Sequence, residues 1–260
     1  MRNYCTFMQK ELTENLRRRS VFVLACVLAF VAISSPLTSR YLLEIIGFFS
    51  GSDEASQLLL GSLPEPTFGD SYINFYGNMA QLGGLTVILM YMGAVLREKR
   101  SGTSDMMLAK GLKAWEFVLA KFTVAGGIIA AMTLASVIVA YGYTLLLFGE
   151  AGGIVDVLLG GLAFVVFAVM LLAITLMFSS IAKGTGGSAV LSLVTYFLLG
   201  LSTMLMGIGK YSPGSLMSSP ILISLGQVPD GFVGSLAAAA VVSALSILAA
   251  VRLTATRQVQ

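Results

Sequence analysis

Charged side chains are concentrated in one internal segment of the chain, residues 97–121, which lies between two long apolar stretches. The segment opens with four consecutive charged residues, Arg97 to Arg100, and closes at Lys121. Gly102 followed by Thr103 is typical of a turn and a helix N-cap. The apolar side chains after this turn can bury in a groove of another protein, and the charges can orient that contact. The alternative is an ordinary basic loop.

The residue types argue against catalysis and metal binding. The chain has no histidine, and its two cysteines, Cys5 and Cys26, form no paired metal motif. The serines have no visible partner to activate them. Thirteen methionines are compatible with copper handling, but methionine is a common filler of apolar helices. Gly209-Lys210 lacks the upstream glycine of a phosphate-binding loop. We therefore predict no catalytic residue, no metal site and no bound nucleotide on this chain.

The composition predicts an all-α, polytopic membrane protein. Of 260 residues, 57% are hydrophobic and only 11% are charged, whereas soluble domains carry roughly a quarter charged residues. Several apolar stretches reach the ~20 residues that a helix needs to cross the hydrocarbon core. We predict six spans. The first starts at Ser20 and continues past Pro36 with a kink or break, and the others cover residues 78–96, 117–148, 155–181, 186–208 and 232–251.

Three further segments have distinct patterns. Residues 1–19 place apolar side chains at four-residue spacing opposite charges, which predicts an interfacial helix; a solvated helix end is the alternative. An aromatic-faced helix from Phe68 leads into the second span, where its rings fit the interfacial aromatic belt. Residues 209–231 contain three prolines and predict a re-entrant or interfacial hairpin, with a partial seventh span near 221–225 left open.

The basic residues predict the orientation. With six spans, 14 of the 16 lysines and arginines lie on the side of both termini and of residues 97–121, and only Arg40 and Lys210 lie on the other side. The positive-inside rule makes the first side cytoplasmic.

Polar residues in two spans are candidates for a translocation path. The span interiors carry almost no ionisable side chains, which argues against proton coupling and voltage sensing. Uncharged polar residues can line a path or can hydrogen-bond between helices. The candidates lie in the second and fifth spans: Asn74, Asn78, Gln81, Ser192, Thr195 and Tyr196. Uncharged interiors favour an amphiphilic, lipid-like or hydrophobic peptide substrate over a small ion.

The charged segment resembles the signature of ABC-2 type transporter permeases. The similar stretches are Glu98-Lys99-Arg100-Ser101-Gly102-Thr103, Leu108-Ala109-Lys110 and Glu116 to Lys121. Lys10-Glu11-Leu12 resembles the N-terminal connecting helix of that family, and residues 34–46 and 63–67 resemble a bacterial subgroup. Gly111 and Ala114-Trp115 depart from the proline and arginine that are frequent there. The resemblance covers most of the chain, so we expect one transmembrane domain over residues 1–260.

The resemblance implies the permease subunit of an ATP-driven exporter in the bacterial cytoplasmic (inner) membrane. It implies a second permease subunit, identical or homologous, and two P-loop ATPase subunits that hold ATP and Mg; lipid is the other partner, and nucleic acid is not one. Residues 97–116 become the coupling segment, with contacts from Glu98, Lys99, Arg100, Gly102, Thr103, Met107, Leu108 and Lys110. A second cytoplasmic contact involves Lys10, Glu11, Glu14 and Lys183. The alternatives are a membrane anchor that couples ATPase cycling to a partner protein without transport, and a structural protein with no ATPase.

Overall fold

The computed structural model describes residues 2–17, 19–50, 64–109, 111, 113–205 and 207–256. Every regular element within these residues is a helix. The α-helices are α1 (Arg2–Arg17), α2 (Arg19–Arg40), α3 (Leu42–Ser50), α4 (Phe68–Asn78), α5 (Gly84–Tyr91), α6 (Leu96–Arg100), α7 (Thr103–Ala109), α8 (Ala114–Phe148), α9 (Ile154–Ile181), α10 (Thr185–Ser202), α11 (Ser219–Ser224) and α12 (Phe232–Thr256). A π-helical turn, Met79–Gly83, joins α4 to α5, and two 3₁₀ turns, Gly209–Tyr211 and Pro213–Met217, precede α11.

Six of these stretches are long and apolar enough to cross a membrane, which confirms the predicted all-α, six-span architecture. They are α2, the continuous run Phe68–Arg100, α8, α9, α10 and α12. Consecutive spans alternate in direction. We call the end of the bundle that holds α1, α6 and α7 the charged end, and the end that holds α11 the opposite end.

The helix α9 lies at the centre of the bundle. It packs against α5, α8, α10, α11 and α12. Its most apolar 18-residue stretch is 67% buried, whereas the corresponding stretches of α10 and α12 are 22% and 17% buried. The peripheral spans therefore present most of their apolar surface outward, as expected where lipid is the solvent.

The N-terminal helix α1 packs one face on the bundle. Phe7, Glu11 and Asn15 recur every fourth residue on this face and are buried, while Leu12 and Leu16 on another face are exposed. The exposed leucines suit the apolar side of an interfacial helix. The position of α1 in the membrane interface stays a prediction.

Three of the four aromatic residues of α4 lie inside the bundle, so the prediction of an interfacial belt was wrong for these three. Tyr72, Phe75 and Tyr76 are at most 1% exposed. The hydroxyl of Tyr72 donates to the carbonyl of Ala151 at 2.7 Å, and that of Tyr76 donates to the carbonyl of Val157 at 3.3 Å. Buried tyrosines usually need such a partner, and here the loop before α9 and the first turn of α9 supply it.

The helix α2 continues through Pro36, as predicted, and of the two predicted forms, a kink or a break, it does not show the break. One other boundary differs from the sequence prediction. The predicted fifth span to residue 208 ends at Ser202, where turns begin. The 209–231 segment forms the two 3₁₀ turns and α11, and α11 has only six residues. That length is about 9 Å, too short for a seventh span.

Candidate functional site

A buried ion cluster joins three helices at the charged end. The Nζ atom of Lys121, on α8, lies 2.8 Å from Oε1 of Glu11 on α1 and 2.7 Å from Oε1 of Glu98 on α6. The side chains of Lys121, Glu11 and Glu98 are 5%, 4% and 10% exposed. We call these three residues the Lys121 cluster. One ammonium group therefore ties the N-terminal helix and the end of the second span to the start of the third.

The surroundings of the cluster strengthen its electrostatics. Lys121 Nζ lies 5.1 Å from the ring centre of Phe117 and 6.0 Å from that of Phe7, and the two rings stack at 5.7 Å. Aromatic faces attract a cation, and their exclusion of water raises the strength of the ion pairs. Oε2 of Glu98 is buried and has no hydrogen-bond partner within the described residues. The cluster thus depends on Lys121 as the cation shared by two carboxylates.

The short helix α6 is also held by the end of α9. The backbone amides of Val95 and Leu96 both donate to Oγ of Ser179, at 3.1 and 3.2 Å. The first amides of a helix lack partners within the helix, so this buried hydroxyl caps α6 from another span. Lys99 Nζ donates to the carbonyl of Ser180 at 3.3 Å, and the guanidinium of Arg100 donates to the carbonyl of Lys183. Cations at the C-terminal end of α9 also suit its dipole.

A tight turn separates α6 from α7. Gly102 has φ of +69°, a left-handed conformation that glycine adopts without strain. Next to it, the Ser101 hydroxyl donates to the carbonyl of Glu98 at 3.2 Å and lies 2.7 Å from the hydroxyl of Thr103. On α7, Met106 is 61% exposed. The turn therefore connects α6 to a short helix that buries Ser104 and exposes Met106.

An open groove lies between the second and fifth spans. Its volume is about 470 Å³, and its lining includes Gln81, Leu85, Tyr196, Phe197, Leu201 and Met217. Tyr196 is buried, and its hydroxyl donates to the carbonyl of Ala80 in the π-helical turn at 2.8 Å. Gln81, in the same turn, is exposed. The groove is apolar except for this amide and the tyrosine hydroxyl.

Comparison with known proteins identifies the family. The model of the "ABC-2 family transporter protein" family matches residues 5–248, nearly the whole chain. The chain belongs to the ABC-2 transporter family. It is also 23% identical over 136 residues to the "Uncharacterized transmembrane protein YxlG" of Bacillus subtilis (strain 168). That match covers 52% of this chain and 51% of the relative, so the chain spans about half the length of the curated relative it matches.

The structure places the predicted coupling residues of this ABC-2 protein in two groups. Glu98, Lys99 and Arg100 make internal contacts, to Lys121 and to the end of α9. Gly102 and Thr103 form the turn, and Met107 of α7 packs partly against the core. The side chain of Leu108 and all of Lys110 lie outside the described residues. Their contact with an ATPase stays a prediction.

The residues predicted to form the second cytoplasmic contact also fall into two groups, one buried and one on the surface. Glu11 is buried in the Lys121 cluster. Lys10 and Glu14 form an ion pair at 3.4 Å on the exposed side of α1, and the exposed Lys183 follows α9. The structure thus brings Glu11 and Glu98 together around one lysine, and it leaves Lys10, Glu14 and Lys183 on the surface of the charged end.

The predicted path residues of the second span mostly bond to the first span. Asn74 donates to Oγ of Ser39 at 2.8 Å, and Asn78 donates to Oγ of Ser35 at 3.1 Å. In the fifth span, Ser192 is buried and donates to the carbonyl of Ser188 in its own helix. Thr195 likewise donates to Leu191. Of the six candidates, Gln81 and Tyr196 line the groove, and the role of all six in transport stays a prediction.

Two residues of the site were missing from the predicted set of contacts. Lys121 marked the end of the charged segment, and a lysine inside a helix this apolar was itself a signal of burial with an acidic partner. Ser179 gave no signal, because serine is common in membrane helices and its acceptor role depends on the position of α6.

The carboxylates of Glu11, Glu14 and Glu98 offer oxygen atoms within 4.8 Å of one another, which is close enough for a metal ion. Two of these three groups, however, already bond Lys121 Nζ. Because an ammonium occupies the centre of this acidic group, the arrangement fits an internal ion cluster better than a metal site.

The asparagine contacts between the first two spans give a first testable prediction. Asn78→Leu removes the bond to Ser35 and should lower the free energy of unfolding by about 1 kcal/mol, as is typical of hydrogen bonds between membrane helices. Thermal unfolding in detergent measures this effect. Thr86→Val is the control, because Thr86 bonds only within its own helix, to the carbonyl of Leu82. Equal unfolding temperatures for the two variants would contradict the prediction.

Proposed function

We propose that this ABC-2 protein is the membrane-spanning permease subunit of an ATP-driven exporter that moves an amphiphilic, lipid-like or peptide substrate outward. ATP and Mg bind to a separate P-loop ATPase, present in two copies, and two permease subunits, identical or homologous, pair in the membrane. The observation that carries the proposal is the Lys121 cluster, which binds α1 and α6 to α8 beside α7, the helix that exposes Met106.

A force applied at α7 reaches the spans only if α7 is connected to elements that are fixed to those spans. The turn at Gly102 connects α7 to α6, and the Lys121 cluster and Ser179 connect α6 to α8 and α9. A buried ion cluster has strict geometry, since separating its charges in a dry environment is costly. Closure of two ATPase subunits against α7 would therefore move these spans and would not merely bend a loop.

The charged end is cytoplasmic in this proposal. The sequence partition of basic residues supports it, since residues 97–121 and both predicted cytoplasmic termini carry most of the positive charge. The corresponding location is the bacterial cytoplasmic membrane, where ATP is available at the charged end.

The groove at Gln81 supports an amphiphilic substrate. Gln81 is 13 residues from Phe68 and 19 from Arg100, so it lies about 20 Å into its span, near the middle of the membrane. It makes no hydrogen bond within the described residues, and a lipid chain would leave its amide without a partner, at a cost of several kcal/mol. A substrate with a polar group and an apolar body, or a second permease subunit, would satisfy both the amide and the apolar lining.

The turn at Gly102 provides the test. Proline requires φ near −65°, so Gly102→Pro should displace α7 and abolish substrate-dependent ATP hydrolysis while the chain still inserts. Gly102→Asn is the matched control, since asparagine tolerates the left-handed conformation. The measurement is ATPase activity and vesicle transport by the complex purified with its ATPase. Glu98→Ala should uncouple in the same way, because it removes one carboxylate of the cluster.

Each outcome of this test separates the hypotheses. If no P-loop ATPase is retained in mild detergent, the exporter and the anchor are both wrong. If an ATPase is retained and uncoupled by Gly102→Pro but no amphiphile moves, the membrane-anchor alternative is favoured. Normal coupling in both Gly102→Pro and Glu98→Ala would show that the contact lies elsewhere.

A further inference from the structure

The helix α9 makes specific contacts at both of its ends. It has 28 residues and its sequence contains no proline, so it spans about 42 Å as one continuous helix. Its only glycines, Gly160 and Gly161, lie within two turns of its N-terminus. Residues 162–178 contain no proline, glycine or serine, the residue types at which helices most often kink.

At the charged end, α9 holds the start of α6 through the side chain of Ser179. Ser179 is fully buried, and its hydroxyl oxygen accepts from the amides of Val95 and Leu96. Movement of α6 away from α9 would leave two buried amides without an acceptor, which is costly where no water can enter. The contacts of Lys99 and Arg100 with the carbonyls of Ser180 and Lys183 lie beside this bond and act in the same direction.

At the opposite end, α9 is joined to α11. The carbonyl of Val157 accepts from the hydroxyl of Tyr76, which in turn accepts from Oγ of Ser224 on α11 at 3.2 Å. The backbone carbonyl of Pro220 packs directly over Gly160, where a Cβ atom would lie only 2.8 Å from it. A displacement of α9 along or about its axis cannot leave α11 in place without breaking these contacts.

We propose that α9 transmits the displacement of α6 to residues 209–231, the segment that contains α11 and that we call the hairpin. Ser179 is the positioning residue that couples α6 to α9. The inference rests on the proposed function, because it takes an ATPase as the source of the movement of α6. Movement would thus pass through α9, the fourth span, in addition to the second and third spans. The hairpin at the opposite end thereby becomes a segment that responds to nucleotide although it lies a full membrane thickness from α7.

Two serines in adjacent positions allow a matched test. Ser179→Ala removes the acceptor of the Val95 and Leu96 amides. Among the described residues, the hydroxyl of Ser180 donates to the carbonyl of Met177 within α9, and Ser180→Ala removes it while leaving intact the backbone carbonyl that binds Lys99. Hydrogen exchange at Val95 and Leu96 should become about fivefold faster or more in Ser179→Ala and should stay unchanged in Ser180→Ala.

The decisive measurement is thiol labelling of the full complex with its ATPase, in a background without the two native cysteines. Ser218→Cys reports on the hairpin, where Ser218 is exposed, and Met106→Cys reports on α7. In the wild-type and Ser180→Ala backgrounds, we expect ATP to change the labelling rate at both positions. In Ser179→Ala, we expect the response at residue 218 to become clearly smaller, because only the contacts of Lys99 and Arg100 then hold α6 on α9, while the response at residue 106 and ATP hydrolysis persist.

The outcomes distinguish this inference from the proposed function. A response at residue 106 with none at residue 218 in the wild-type background would overturn the inference alone. So would an undiminished response at residue 218 in Ser179→Ala. No response to ATP at residue 106 in the wild-type background would contradict the proposed function, and the inference with it.

Discussion

Lys121→Met is expected to lower the free energy of unfolding by about 3–5 kcal/mol, the usual cost of removing one partner from a buried ion pair. Methionine retains most of the side-chain length, so packing against Phe7 and Phe117 changes little. The carboxylates of Glu11 and Glu98, however, stay buried beside each other with no cation between them. Thermal or denaturant unfolding of the purified protein in detergent measures the loss.

Two further variants define the origin of this effect. Lys113→Met is the matched control, because Lys113 precedes the same helix but is exposed, and we expect a change of less than about 1 kcal/mol. The triple variant Glu11→Leu, Glu98→Leu, Lys121→Met should recover most of the lost stability, since well-packed apolar residues often replace a buried ion cluster at no cost. If Lys121→Met were as stable as Lys113→Met, the Lys121 cluster would not hold α1, α6 and α8 together as we describe.

Gly160→Val should destabilise the protein by about 3 kcal/mol, at the upper end of the range for overpacking a close contact. A Cβ atom at this position would lie 2.8 Å from the carbonyl oxygen of Pro220 and 3.0 Å from the hydroxyl of Tyr76, and it would overlap Oγ of Ser224. Because the backbone at Pro220 is one of these neighbours, the valine can be accommodated only if α11 moves away from α9. Unfolding in detergent gives the stability change.

The control for this prediction is Gly127→Val in α8. No atom lies within 4 Å of a Cβ atom at Gly127, so valine there should be nearly neutral. Combining Gly160→Val with Ser224→Ala should recover part of the loss, since one of the three neighbours is shortened. Equal stability of Gly160→Val and Gly127→Val would show that α11 does not pack against α9 as described.

Much of the architecture was predictable because membrane spanning depends on local composition. About 20 apolar residues satisfy their backbone hydrogen bonds within one helix, whichever helices surround it. The sequence therefore sufficed to identify the six spans, the charged segment 97–121 and the proline-rich segment 209–231. The family could also be recognised from Glu98 to Lys121, because its motif is contiguous.

Burial and partners within the bundle were not predictable, because they depend on which face of each helix meets its neighbours. Tyr72 and Tyr76 are residue types typical of an interfacial belt, yet both are buried inside the bundle. Asn78 could line a path or bond a neighbouring helix, and only the structure shows its bond to Ser35. Both cases have the same cause, since the rotation of a span about its axis is set by its packing against neighbouring spans.

The sequence alone thus determined that this membrane protein has six segments apolar enough to span a bilayer and one strongly charged internal segment. Only the tertiary structure decided that Glu98 faces inward, because Glu98 and Lys121 are 23 residues apart and Glu11 is 110 residues from Lys121. Ion pairs at such separations form only when three helices have already packed. For the same reason Ser179, which no motif marks, became the cap of α6.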